Sequence, residues 1–273
     1  MESLLSIITI NYNNGPGLEK TIASVLNQSQ RDFEFIVVDG GSKDTSAEVI
    51  SKHNKEFTKV ISEMDKGIYD AQNKGAALAK GNYLLFLNSG DTFYDRHVVA
   101  SFFEFVKDEK NLIVYGNSAL NTPGGTEEKL CPPATLDAFY FFKHGLNHQA
   151  CFIANSLFKE FGPYELKYRI CADFDFLLAV FCKKPGCYRY LNTVICHYDK
   201  SGASSASENY DTVVKERELI LKRHLAPALY VGLKKRARAE LSLKYRILTS
   251  LYALPLIGKG IKQIMIKLFP GDK

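Results

Sequence analysis

The sequence predicts an α/β protein with a mostly parallel central sheet and helices on both faces. Two observations carry that prediction. Strand-like and helix-like stretches alternate through the first 90 residues, the pattern of right-handed crossover units. Within them, Tyr83–Leu87 is an unbroken bulky run that changes at once to Asn88-Ser89-Gly90-Asp91. A strand buried on both faces of a parallel sheet has this form, and ligands of open α/β sheets bind beyond the carboxyl ends of such strands.

Taken in order, Ser6–Tyr12 reads as the first strand and Asn13–Gly17 as a loop. Leu18–Gln28 then places Leu18, Ile22, Val25 and Leu26 at helical spacing. Phe33–Val38 is a second buried strand ending in Asp39-Gly40-Gly41-Ser42-Lys43-Asp44, with Ser42 the expected cap of the next helix. Thr58–Ser62 is the third strand, Ile68–Lys80 its helix, and Tyr83–Leu87 the fourth strand. After Asp91 the regularity weakens. Val98–Val106 reads as helix and Leu112–Gly116 as strand, and Asn121–Thr135, rich in Pro and Gly, as a mobile loop. Phe139–Phe142 is an aromatic cluster before His144 and His148. Asp173–Phe181 is a short helix, Tyr188–His197 a strand and Tyr210–His224 a charged helix. One domain over residues 1–225, with halves 1–95 and 96–225, is expected to be followed by a helical tail over 226–273.

Composition narrows the class. The chain has 273 residues, 46% hydrophobic and 24% charged, which suits a globular fold with a substantial core. Six cysteines are scattered without a CxxC pair, so a zinc site or disulfide framework is not expected and reduced cytosolic thiols are. The start of the sequence lacks the basic segment and cleavage site of a signal peptide. The first turn carries neither GxGxxG nor GxxxxGK[ST], which argues against a dinucleotide fold and a phosphate-loop ATPase.

Charge is unevenly placed. Lys234–Lys273 holds ten Lys and Arg against two acids, a charge of +8 in a chain whose total is +5, so the rest sums to −3. A mildly acidic body is not a nucleic-acid-binding core, whereas the basic tail suits an anionic surface. Ile261, Ile264, Met265 and Leu268 share one helical face flanked by Lys259, Lys262 and Lys267, and Ile247–Ile257 is short and interrupted by Pro255. An interfacial amphipathic helix on the inner-membrane surface is expected rather than a spanning one, with a terminal helix packed on the catalytic domain as the alternative.

Four separated motifs carry chemistry: Ser6–Asn13 with Ser24–Gln28 and Phe33–Asp44, then Asp65–Gly75, then Asn88–Asp91, and finally Ala172-Asp173-Phe174-Asp175. Their order and spacing over residues 4–205 resemble family 2 glycosyltransferases, inverting sugar transferases of the GT-A fold. The resemblance implies a Rossmann-like catalytic domain, with 1–95 binding the nucleotide sugar and 96–225 facing the acceptor. It places Thr9, Asn11 and Tyr12 in the opening motif. Tyr12 can pack its ring on a base and Asp39 can accept a hydrogen bond from an imide N–H such as that of uracil. Asp65, Asp70 and Asn73 are expected to face ribose, diphosphate or donor sugar. Asp91 is expected to hold Mn²⁺ or Mg²⁺ beside Asn88, Ser89 and Gly90. The family's commonest form has carboxylates where this chain has Asn88 and Gly90, so weaker metal dependence is implied. Asp173 matches the general base, with Asp175 orienting or structural. His148 is a weaker candidate, and His197, Lys200 or Ser201 is expected to reach the diphosphate.

The implied activity is transfer of a hexose from a nucleotide sugar, a UDP-hexose, to a glycan or lipid-linked saccharide. The pathway implied is assembly of surface polysaccharide, capsule or lipopolysaccharide at the cytoplasmic face of the membrane. Two rivals remain at this stage. A sugar nucleotidyltransferase would need an Arg-containing loop after the first strand, and Asn13–Gly17 has none. A non-catalytic nucleotide-sugar-binding protein is prompted by the missing carboxylates.

Overall fold

The structure is a computed structural model that describes residues 4–107, 112–121, 126–199 and 207–252. The chain divides into two units, Met1–His224 and Leu225–Lys273.

The first unit is α/β. Strand β1 (Leu5–Asn11) is buried along its whole length, with β2 (Phe33–Asp39) on one side and β4 (Tyr83–Phe86) on the other, both parallel to it. Outside β2 lies β3 (Lys59–Ser62), also parallel. The helices α1 (Gly15–Leu26), α2 (Ser46–Lys52) and α3 (Ile68–Leu78) are the crossovers. Burial on both faces is why β1 and β4 read as unbroken apolar runs. Helix α3 lies close on the sheet at Gly75, where a Cβ would come 2.4 Å from the Ile8 side chain.

Chain order and spatial order part company after β4. Among the described residues the sheet runs β3-β2-β1-β4-β8-β6-β9-β5, with β7 paired to β6. The added strands are β5 (Thr92–Phe93), β6 (Ile113–Asn121), β7 (Glu127–Leu130), β8 (Cys151–Ala154) and β9 (Tyr188–His197). Strand β8 pairs antiparallel with both β4 and β6, and β6 runs parallel to β9. Parallel ladders still carry most of the register. The remaining helices of this unit are α4 (Val98–Phe105), α5 (Ala138–Lys143), α6 (Asn155–Phe161), α7 (Ala172–Lys183) and α8 (Tyr210–His224).

Several expectations need correction. Helix α1 begins at Gly15, inside the expected loop, because Asn14 caps it by accepting from Gly17 N at 3.1 Å and Pro16 suits a first turn. Ser42 is not the cap of α2, which starts at Ser46. Its hydroxyl instead donates to Asp39 Oδ1 at 2.5 Å. Asn121–Thr135 is not all loop, since Glu127–Leu130 forms β7 on the edge of β6. Strand β6 runs beyond Gly116 through a register shift against β9. Strands β5 and β8 and helix α6 had no clear sequence signal.

In the second unit, α9 (Pro227–Tyr252) is a long helix. Ile261, Ile264, Met265 and Leu268 lie outside the described residues. Among the described residues, no helix is long and apolar enough to cross a membrane.

Candidate active site

The carboxyl ends of β1, β2 and β4 open on one cavity of about 930 Å³, closed on its far side by α7 and α8. It lies at the switch point where the chain reverses from β1–β2 to β4.

Tyr12, directly after β1, stands at the mouth and is 66% exposed. Gly40, Gly41 and Asp65 line the same end. Asp39 is buried beneath them at 2% exposure. Its carboxylate accepts from Asn11 Nδ2 (2.8 Å), Ser62 Oγ (2.9 Å), Ser42 Oγ and the backbone of Gly41 and Ser42. Burial alone would raise this carboxyl, but the Ser42, Asn11 and Ser62 hydrogen bonds hold it below its ordinary range. Asp39 therefore organises the Gly40–Ser42 turn that forms this wall. Asn11 joins the same network and reaches the cavity lining.

The Asn88–Asp91 turn is fastened to α1. Thr21 Oγ1 donates to Asp91 O at 2.7 Å and accepts from Gly90 N at 3.0 Å. Gly90 has φ +104°, a left-handed conformation that glycine adopts freely. A Cβ there would come 2.8 Å from Asp199 Oδ2, so the Asp199 carboxylate occupies the space that a side chain at position 90 would claim. Asp199 N donates to Asp91 Oδ1 at 2.9 Å. Pairing of β5 with β9 brings these distant residues together. Asp91 is 4% exposed, and burial raises its carboxyl to about 6 despite hydrogen bonds from Asp199 N and Gln149 and the charge of His148.

Asp173, in the first turn of α7, lies across the cavity. Its Oδ1 accepts from Tyr69 Oη at 2.8 Å and its Oδ2 sits 2.9 Å from His148 Nδ1. Burial pushes the carboxyl up. The His148 hydrogen bond and charge and the Tyr69 hydrogen bond more than offset this, so Asp173 lies below the ordinary carboxylate range. Tyr69, buried at the cavity wall, is pushed well above the phenol range and stays a donor. His148 Nε2 in turn lies 3.3 Å from Asn88 Nδ2, and Asn88 Oδ1 accepts from Gln72 Nε2 at 3.0 Å. A continuous polar chain thus joins the Asn88–Asp91 turn to Asp173.

Helix α8 secures the approach to α7. Glu216 accepts from the backbone of Arg169 (2.6 Å), Ile170 (3.0 Å) and Cys171 (3.0 Å). Asp175 faces away from the cavity, toward His224 Nε2 (2.8 Å) and Arg223 (3.2 Å).

The cavity gathers Asn11, Tyr12, Asp65, Asn88, Ser89, Asp91 and Asp173 from the sequence-derived set. Others are elsewhere. Thr9 is buried within β1 and donates to Leu87 O. Asp70 turns outward, accepting from Lys66 N at 3.0 Å and pairing with Lys74 at 3.5 Å. Asn73 forms a two-way clamp on Tyr164, accepting from its N at 2.8 Å and donating to its O at 2.9 Å. The helical turn of α3 and the alternation of β1 aim these three side chains into packing or solvent rather than into the cavity. His197 does not line the cavity either. It sits opposite Thr92, with its ring 4.9 Å from Tyr94 and Nε2 3.7 Å from Glu127. Lys200 and Ser201 lie outside the described residues. Sequence reasoning gave no role to Tyr69, Gln72, Gln149, Asp199 or Arg217, although Tyr69 and Gln72 fall within the Asp65–Gly75 motif, Gln149 follows His148 and Asp199 follows His197 by two residues.

A model described as glycosyl transferase family 2 matches residues 6–160. A PGL/p-HBAD biosynthesis glycosyltransferase of Mycobacterium bovis is 33% identical over 206 residues, covering 74% of this chain and 79% of that one. Among solved structures, S. aureus TarS 1–349 in complex with UDP aligns with TM-score 0.63 at 15% identity, over 85% of this chain and 69% of that one. The mannosyltransferase PcManGT of Pyrobaculum calidifontis, in complex with GDP-Man and Mn²⁺, aligns with TM-score 0.57 at 13% identity, over 100% of this chain and 89% of that one. At such identities the two structures show likeness of fold.

Proposed function

We propose that this chain, which belongs to glycosyl transferase family 2 and is a glycosyltransferase, transfers a hexose from a UDP-sugar to a saccharide with inversion at the anomeric carbon. One observation carries the reading. A single cavity of about 930 Å³ holds an exposed ring at Tyr12, a carboxylate turn at Asp91 and an ionised Asp173.

In this reading the base packs on Tyr12 against the Gly40–Gly41 wall, and the diphosphate lies over Asn88–Asp91. Asp39 reaches the base by exchanging its Ser42 hydroxyl contact for the imide N–H. Asp173 retains accepting capacity beyond Tyr69 and His148, since a carboxylate has about four lone-pair positions, and its side chain is 17% exposed. It takes the proton from the acceptor hydroxyl as that oxygen bonds to the anomeric carbon. The bond from that carbon to the diphosphate oxygen breaks, and the nucleotide leaves with the electron pair. Tyr69 and His148 hold Asp173 ionised and aimed.

The site suits a divalent cation, Mn²⁺ or Mg²⁺. Asp91 is a carboxylate whose charge is disfavoured by burial, and the Asp199 carboxylate stands beside it. Both would hold the ion through oxygen, with the donor diphosphate completing the shell. When bound, the ion neutralises charge building on the departing nucleotide. Asp199 thus supplies a carboxylate where position 90 supplies none.

For the acceptor we propose a lipid-linked saccharide in surface polysaccharide or lipopolysaccharide assembly, met at the cytoplasmic face of the membrane. Support comes from the +8 charge of residues 234–273. The function is tested by release of free nucleotide from a panel of sugar nucleotides, with and without Mn²⁺. Slow release of UDP from one UDP-hexose is expected. Nucleotide binding without release from any donor would overturn the proposal.

A further inference from the structure

Arg217 reaches from α8 into the cavity beyond Asp173. Its guanidinium lies over the Phe174 ring at 4.0 Å and donates a single described hydrogen bond, 3.2 Å to Phe141 O. A guanidinium carries five N–H donors in a rigid fork that matches carboxylate and phosphate. The neighbouring acids are engaged elsewhere. Glu216 accepts from three backbone amides, Asp173 is held by Tyr69 and His148, and Asp175 pairs with Arg223 and His224. Among the described residues Arg217 has no carboxylate within ion-pair distance.

This is an unusual state for a half-buried cation, because a desolvated charge is ordinarily paired. Burial is the largest influence on Arg217 and lowers its proton affinity, against the charge of Asp173. Its contacts locate it. The guanidinium packs on Phe174, the residue after Asp173, and lies against Gly145, whereas Asp199 lies against Gly90 and Asp91. Arg217 therefore stands on the α7–α8 wall of the cavity, beside the proposed general base and apart from the Asn88–Asp91 turn.

We infer that Arg217 recognises an anionic substituent, a carboxylate or a phosphate, on the acceptor saccharide. The inference rests on the transferase reading and narrows it to an acidic acceptor. The fork forms two parallel hydrogen bonds to the anion while Phe174 keeps the guanidinium plane fixed. A neutral sugar in the same place would offer hydroxyl acceptors but no charge to pair with the guanidinium.

The test uses the full chain saturated with UDP, titrated with methyl β-glucuronide, glucose 6-phosphate and methyl β-glucoside and followed by saturation-transfer NMR. At least one charged probe is expected to bind about tenfold or more tightly than the neutral glucoside, and which one does so separates a carboxylate from a phosphate site. Arg217→Gln removes that preference while UDP affinity stays within about twofold, and Arg217→Lys keeps part of it. Equal affinity for all three probes, or a preference that survives Arg217→Gln, would overturn the inference. So would a loss of UDP affinity in both variants, which would place Arg217 on the donor diphosphate. Because these are binding measurements, the inference can stand or fall separately from the donor-hydrolysis result.

Discussion

His148 Nδ1 lies 2.9 Å from Asp173 Oδ2, and its other ring nitrogen faces Asn88 at 3.3 Å. The two residues are 25 positions apart, on separate elements. Their contact links the carboxylate proposed to take the acceptor proton to the turn proposed to hold the diphosphate.

Asp173→Asn should remove the proton acceptor while keeping the shape of the site. Transfer should fall by roughly 10²–10⁴-fold, the usual worth of general-base catalysis, with UDP affinity nearly unchanged by calorimetry. A variant that keeps wild-type turnover would show that the base is another residue.

His148→Ala should weaken catalysis in a pH-dependent way. In the wild type the folded-state carboxyl of Asp173 is depressed, so it stays ionised until pH falls below the ordinary carboxylate range. Removing His148 takes away the hydrogen bond and charge that depress it. The acid limb of the kcat profile should therefore move to higher pH, and His148→Gln should restore part of the loss at neutral pH. The same sign applies to stability, since the contribution of a depressed carboxylate is lost as pH falls through its folded value.

Asp91 has the opposite sign. Its carboxyl is raised to about 6 from an ordinary 3.8, a difference worth about 3 kcal/mol. Between those values the folded state binds more protons than the unfolded chain, so stability of the metal-free protein should fall as pH rises through that window. Asp91→Asn should therefore raise the melting temperature at pH 7.5 without metal and abolish the further rise that Mn²⁺ with UDP gives the wild type. A thermal-shift series at pH 5 and pH 7.5 measures both.

Asn73→Ala separates fold from site. It removes both hydrogen bonds to Tyr164, so a loss of about 2 kcal/mol is expected at about 1 kcal/mol each. Donor KM should not change. A raised KM with unaltered unfolding would return Asn73 to the donor site.

Much of this protein was legible because local sequence controls it. Tyr83–Phe86 and Leu5–Asn11 are buried on both faces, so every residue is apolar or finds an internal partner, and the strands declare themselves. The expectation that Asp91 and Asp173 would share a cleft also held. Strand β8, only Cys151–Ala154, was not legible. It runs straight into α6 at Asn155 with no intervening turn to mark its end, and its identity comes from lying between β4 and β6. Asp70 and Asn73 show the converse, because a motif fixes which residues are present without fixing where their side chains point.

The sequence alone determined the order of the first strands and helices, the family resemblance, and the residue types available at the strand ends, since these depend on neighbours in the chain. Tertiary structure decided which carboxylates meet which partners. Asp199 fills the space left by Gly90 and Glu216 pins the loop before Asp173, while His148 and Tyr69 share the Asp173 carboxylate. Each contact joins segments separated by tens of residues, and its strength depends on burial and orientation that appear only when the sheet has closed around it.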